Sequence, residues 1–233
     1  MALQSNMTAD TFAAQRLTMV DSQIRTFDVT DRAVIERFLA VEREKYVPPQ
    51  LSDLAYSDMA LKIAPAKSGA SERRLLAPMV LARLLQAAAV KTGEHVLDIA
   101  PGTGYSTAIL AGLTPNVVAL ESDPDLQAST KAALATSGLP VFGGPLNEGV
   151  ASAAPFDVIL INGAVETHLD ALFAQLRDGG RLLTILRSAN PANQHASRAV
   201  LFEKNSGEIS RRGLFDAAAP LLDAFRAEPA FFF

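Results

Sequence analysis

The chain has 233 residues and a formal net charge of −4; it is 49% hydrophobic and 20% charged, with 14 glycines and 13 prolines. That is the make-up of an ordinary globular protein large enough for one generous core. The charge offers no concentrated basic surface for nucleic acid or an anionic membrane, and a chain without cysteine has no disulfide, thiolate metal site or cysteine nucleophile.

The first twenty residues lack the apolar core of a signal peptide. No stretch approaches the roughly 20 apolar residues that cross a bilayer. The expected location is the cytoplasm, with no nucleic-acid or membrane partner.

Helical spacing of Phe12, Leu17, Val20 and Ile24 predicts a helix over residues 11–24. Val34, Ile35, Phe38, Leu39 and Val41 predict a second over 30–43, with Thr30 or Asp31 as its cap. "YVPPQL" ends that pattern, and residues 50–74 read as irregular. A further helix is expected from Pro78 to about Val90, with the proline in its first turn.

Beyond "KTGE" the character changes. "HVLDIA", "NVVALE", "FDVILI" and "RLLTIL" are short apolar runs of the kind that form buried strands. Helix-like segments near 104–112, 124–137 and 166–176 lie between them. This alternation implies right-handed crossovers and a mainly parallel sheet covered on both faces. "AVLFEKNSGEISRRGLF" differs, with two apolar runs around a polar turn, and is expected to form an antiparallel pair at one side of the sheet. The closing "FFF" is expected to dock on the body or on a second copy.

The turn at residues 98–107 carries the densest chemistry. Ligands of open α/β sheets bind beyond the C-terminal strand ends, near the point where strand order reverses. A dinucleotide, a phosphate, a methyl donor or no ligand at all are the readings to separate. Phosphate binding of the Walker type fails, because no Gly-Lys-Ser/Thr follows. The dinucleotide pattern lacks its third glycine, since Gly102 and Gly104 are followed by Thr107. Glu121 stands at the end of the next strand, where an acid can accept both hydroxyls of an adenosine ribose. Loop and acid together favour an adenosine-containing ligand over glycines that merely turn the chain, an Asp98 that caps the helix and a solvated Glu121.

"VLDIAPGTGYSTAIL" followed by "VVALE" resembles the donor site of S-adenosylmethionine-dependent methyltransferases. "MVDSQIRTFDVTDRAVIERFLAVEREKYVPPQLSDLAYSDMAL", "LAPMVLARLLQ", "APFDVILINGA", "LRDGGRLLTIL" and "AVLFEKNSGEISRRGLFDAAAPLL" narrow the resemblance to protein-L-isoaspartate O-methyltransferases, over roughly residues 18–222. It implies a doubly wound, Rossmann-like α/β fold. An N-terminal helical cap and acceptor-side segment (1–77) and a donor-binding α/β domain (78–233) would form one structural unit. It also implies methylation of the isoaspartyl carboxylate in damaged proteins. Such a carboxylate, with a reference pKa near 3.9, is already ionised at neutral pH and needs no base, only alignment behind the donor methyl. His95, His168 and His195 have no metal-ligand spacing, and no G-x-S-x-G is present. By the same resemblance Asp98, Gly102, Thr103, Gly104, Tyr105 and Glu121 belong to the donor site. Glu121 would hold the ribose, and the glycines would admit the methionine part.

Three departures fall on that surface. Ala100 stands where the family has glycine, harmless at an ordinary backbone angle and strained at positive φ; Pro101 after it removes a backbone donor. Gly144-Pro145-Leu146 replaces a Gly-Asp-Gly whose acid meets the adenine, leaving Asn147 or Glu148 as substitutes. Glu72-Arg73-Arg74-Leu75-Leu76 replaces a segment that supplies an acceptor-site hydroxyl, and Leu76 has none. Arg73 and Arg74 would then clamp another acidic substrate or lie on a solvated loop; alternatively Ser57, Ser68 or Ser71 supplies the hydroxyl. Two other readings stay open: a methyltransferase with a different acceptor, and a non-catalytic binding protein on the same fold. Asn162-Gly163-Ala164 follows the "FDVILI" strand as a ligand rest or a turn, while Tyr56 and Asp58 border the acceptor side. Monomer and dimer are equally compatible with the sequence.

Overall fold

The computed structural model describes residues 9–67, 71–188 and 197–228. His195, Ser68 and the closing phenylalanines lie outside these residues. Helix α1 (Ala9–Met19) continues through a π-helical turn over Val20–Ile24, and α2 (Arg32–Ala40) follows. Asp31 caps α2, its carboxylate accepting from the Val34 amide at 3.2 Å. The α2 helix ends before residue 43, and a 3-10 turn over Arg43–Tyr46 follows.

The described residues of the 50–74 stretch include regular structure that the sequence does not suggest. Strands β1 (Leu61–Ala64) and β2 (Arg73–Leu75) pair antiparallel as a separate two-stranded ribbon. Four and three residues beside a Ser-Gly-Pro-rich stretch carry too little alternation to read as strands. Arg73 and Arg74 therefore sit in a strand, not on a solvated loop. Helix α3 (Pro78–Ala88) begins with its proline at the first helical position, and Ala89 closes it in the left-handed conformation.

Strand β3 (Val96–Ile99), helix α4 (Tyr105–Ala111), β4 (Val117–Glu121), α5 (Pro124–Ala133), β5 (Val141–Gly143), β6 (Phe156–Val165), α6 (Asp170–Gln175) and β7 (Leu176–Arg187) form the alternating part. β8 (Ser197–Asn205) and β9 (Glu208–Asp216) add the antiparallel pair. The sheet order is β5-β4-β3-β6-β7-β8-β9, parallel from β5 through β7. Strand order reverses between β3 and β6, so the glycine turn after β3 stands at the switch point. The segment Asn162-Gly163-Ala164 lies inside β6 and is not a turn.

Two apolar layers cover the sheet. Val96, Val158, Leu160 and Leu183 pack with α1, α2 and α3 on one face; Leu97, Ile99, Ile159 and Ile161 pack with Leu172 of α6 on the other. Alternation along β3 and β6 puts Asp98 and Asn162 on the cap side, where the candidate site forms.

Candidate donor site

Asp98 is fully buried at the end of β3. Its Oδ2 accepts from Ser106 Oγ at 2.7 Å and Thr107 Oγ1 at 2.6 Å, and its Oδ1 accepts from Asn162 Nδ2 at 2.6 Å. Burial pushes its pKa up to about 6, against the opposing effect of the Thr107, Ser106 and Asn162 hydrogen bonds; the nearby Glu121 charge adds to the rise. With these donors in place, Asp98 ties the strand end to the start of α4 and to β6.

The turn itself is left-handed at three points: Ala100 at φ +59, Gly102 at +67 and Gly104 at +95. The Ala100 departure is therefore the strained case, an alanine in a conformation that costs a non-glycine residue about 1–2 kcal/mol. Thr103 donates to the Tyr46 carbonyl at 2.6 Å, and Thr130 of α5 donates to the Gly102 carbonyl at 2.7 Å. These contacts hold the turn from both sides.

Tyr105 points into the core. Its ring lies edge-on to Phe38 and Tyr46, and the Arg43 guanidinium stands 4.6 Å above it. Burial pushes its pKa up to about 12 despite that cation. Arg43 is itself fully buried, donating to the Ala55 carbonyl at 2.8 Å and the Leu76 carbonyl at 2.9 Å. The arginine thus joins the cap, the segment before α3 and α4. A buried arginine that has no carboxylate partner among the described residues carries no local sequence signal, because arginine usually marks surface.

Glu121 is the centre of the site. Its carboxylate, 0% exposed, accepts backbone N–H groups from Gly102 at 3.0 Å, Ser122 at 2.8 Å and Asp123 at 3.2 Å. It is therefore not a solvated acid but one aimed across the glycine turn. Arg73 of β2 reaches it from above, with Nη1 to Oε1 at 2.7 Å and Nη2 to Oε2 at 2.9 Å. The same ribbon covers the turn: a Cβ built at Gly102 would overlap Ile63 Cδ1 and lie 3.6 Å from Leu75 Cδ2. Sequence reasoning missed Ile63 altogether.

Beside the Arg73–Glu121 pair lies a cavity of about 260 Å³ bordered by Ser71, Ser122, Leu146 and Leu222. Leu146 thus meets the cavity from the Gly144-Pro145-Leu146 segment, while Asn147 and Glu148 do not border it. Leu76, Ala100, Pro101 and Asn162 enclose a void of about 10 Å³. Arg74 is paired with Glu72 at 2.5 Å and with the Ala60 carbonyl at 2.9 Å. Ser57 donates to the Leu54 carbonyl and Ser71 to Asp223, while Tyr56 bonds Glu44 and Arg16. Among the described residues no group of three or more His, Cys, Asp or Glu is arranged to hold a metal ion, and no helix is long and apolar enough to cross a membrane.

The profile of the family described as Protein-L-isoaspartate(D-aspartate) O-methyltransferase (PCMT) matches residues 14–216. The chain belongs to this family. A protein-L-isoaspartate O-methyltransferase of Koribacter versatilis (strain Ellin345) is 32% identical over 223 residues, covering 94% of this chain and 96% of the relative. One of Methylorubrum extorquens (strain PA1) is 36% identical over 173 residues, 73% of each chain. Among solved structures, a protein-L-isoaspartate O-methyltransferase matches with a TM-score of 0.76 at 21% identity, covering 91% of this chain and 67% of that one. A putative member from Plasmodium falciparum, in complex with S-adenosyl-L-homocysteine, matches with a TM-score of 0.73 at 18% identity over 91% of this chain and 98% of that one. These structural likenesses bear on the fold, and the doubly wound sheet agrees with them.

The site of this family member fits the adenosine part of the donor in its fixed parts. Backbone amides of Gly102, Ser122 and Asp123 orient the Glu121 carboxylate, while the space that Gly102 and Gly104 leave for lack of a Cβ is bordered by the chain's own Ile63 and Thr130. The remaining face of that carboxylate is taken by the chain's own Arg73.

Proposed function

We propose that this protein transfers the methyl group of S-adenosylmethionine to the carboxylate of L-isoaspartyl residues in proteins. Family membership over nearly the whole chain supports the reaction. The observation that carries the donor assignment is the buried Glu121 carboxylate, aimed across the glycine turn at the switch point. In this reading Glu121 accepts the ribose hydroxyls, and the methionine part approaches the backbone of Gly102 and Gly104 once Ile63, which covers Gly102, moves aside. Asp98, Thr103 and Tyr105 act as positioning residues, because their polar atoms or rings serve the fold of the turn.

The donor supplies an activated methyl group. The chain's part is to hold donor and acceptor in line and to keep water out, since an ionised carboxylate attacks without a base. The family's acceptor-site hydroxyl has no counterpart at Leu76, which is 3% exposed and borders a void of only about 10 Å³. That feature favours a second reading in which the donor chemistry is kept and the acceptor differs.

Two measurements separate these readings. Titration calorimetry with S-adenosylhomocysteine should detect binding to the wild type that Glu121→Ala weakens at least tenfold; equal affinity in both proteins would remove the ribose assignment. Methyl transfer to an isoaspartyl peptide is expected. Donor binding without turnover of that peptide would select the altered acceptor.

A further inference from the structure

The Glu121 carboxylate is saturated. Oε1 takes Arg73 Nη1 and the amides of Ser122 and Asp123, and Oε2 takes Arg73 Nη2 and the amide of Gly102. A carboxylate offers about four acceptor positions, so a ribose diol can bond Glu121 only after a present donor leaves. The three amides are fixed by the end of β4 and by the glycine turn. Arg73 is a side chain on a three-residue strand, and it borders the cavity of about 260 Å³. The cavity gives a withdrawn guanidinium room, and its wall is acidic: Asp123, paired with Lys67, and Asp223, paired with Arg226, both border it.

We propose that Arg73 is an internal competitor for the donor: it holds Glu121 where the ribose would bind, donor binding exchanges the guanidinium for the ribose hydroxyls, and Arg73 thereby sets donor affinity. The inference rests on the donor reading above. A purely supporting arginine would leave affinity unchanged or strengthen it. A competitor lowers apparent affinity by the fraction of molecules in which the pair is open. The pair is bidentate, and Arg73 is only 13% exposed, so water screens it little.

The test is calorimetric titration of the full chain with S-adenosylhomocysteine, which binds without reacting, alongside melting curves with and without it. Arg73→Ala should bind at least tenfold more tightly than wild type and gain a larger rise in melting temperature at the same ligand concentration. Arg73→Lys, which keeps the charge but loses the fork, should fall between them. It also serves if the alanine variant fails to fold. Equal or weaker binding by Arg73→Ala, with wild type binding measurably, overturns the exchange and leaves the donor reading standing. No binding by wild type or by any folded Arg73 variant at millimolar ligand overturns both.

Discussion

Asn162 Nδ2 lies 2.6 Å from Asp98 Oδ1 and 3.0 Å from the Ile99 carbonyl, clamping the end of β3 to β6 at the point where the strand order reverses. The clamp works on a carboxyl group that burial disfavours as an ion. In the unfolded chain this group titrates near 3.9 and in the folded chain at about 6. The folded state therefore holds the proton more tightly between these values, and stability falls as pH rises through them. The loss is complete above about pH 6 and on the order of 3 kcal/mol.

Asp98→Asn keeps the shape and removes the charge. Its stability relative to wild type, from urea unfolding, should rise by about 2–3 kcal/mol between pH 4 and pH 7. Other acids, such as Glu94, Asp123 and Asp223, have lowered pKa values and push stability the opposite way, but they are common to both proteins and cancel in the difference. Parallel pH curves would refute the assignment.

Gly102→Ala meets two obstacles, a positive φ and the side chain of Ile63. Strain of about 1–2 kcal/mol remains whatever surrounds it, whereas the steric part depends on the neighbour. Ile63→Ala in the same chain should recover the steric part alone, giving a coupling of about 1 kcal/mol or more in a double-mutant cycle. Additive effects would show that the ribbon does not press on the turn.

Arg43→Lys should lose about 3 kcal/mol or more of stability in chemical denaturation. A lysine cannot span the Ala55 and Leu76 carbonyls as the guanidinium does, and it keeps a buried charge. Arg43→Met leaves the same carbonyls short of donors but removes the ion, so it should be the more stable variant. A lysine variant within about 1 kcal/mol of wild type would mean that the buried cation is worth little.

Four of the parallel strands, β3, β4, β6 and β7, were legible because their central residues are buried and read as short apolar runs, whereas β5, three residues at the sheet edge, was not. The glycine turn and Glu121 were legible because ligand chemistry fixes their spacing. The ribbon of Leu61–Ala64 and Arg73–Leu75 was not. Its strands are too short to show a period, and its weight lies in contacts distant along the chain, such as Arg73 with Glu121 and Ile63 over Gly102. Ala100 was readable only as a condition, since residue type sets the penalty for positive φ but the fold decides whether φ is positive. Asn162 looked like part of a turn because β6 runs four residues beyond the apolar "FDVILI".

The two ends of the sheet deal differently with unpaired backbone. At one end β5 has only three residues, too short a template for another strand. At the other, β9 is nine residues long and exposed through Gly213, with Arg211 and Arg212 side by side. A second copy adding antiparallel across this edge near its middle would set arginine against arginine, and like charges opposed across strands repel. The molecule thus carries its own deterrent to fibre-like stacking, written in two adjacent cations on its longest open edge.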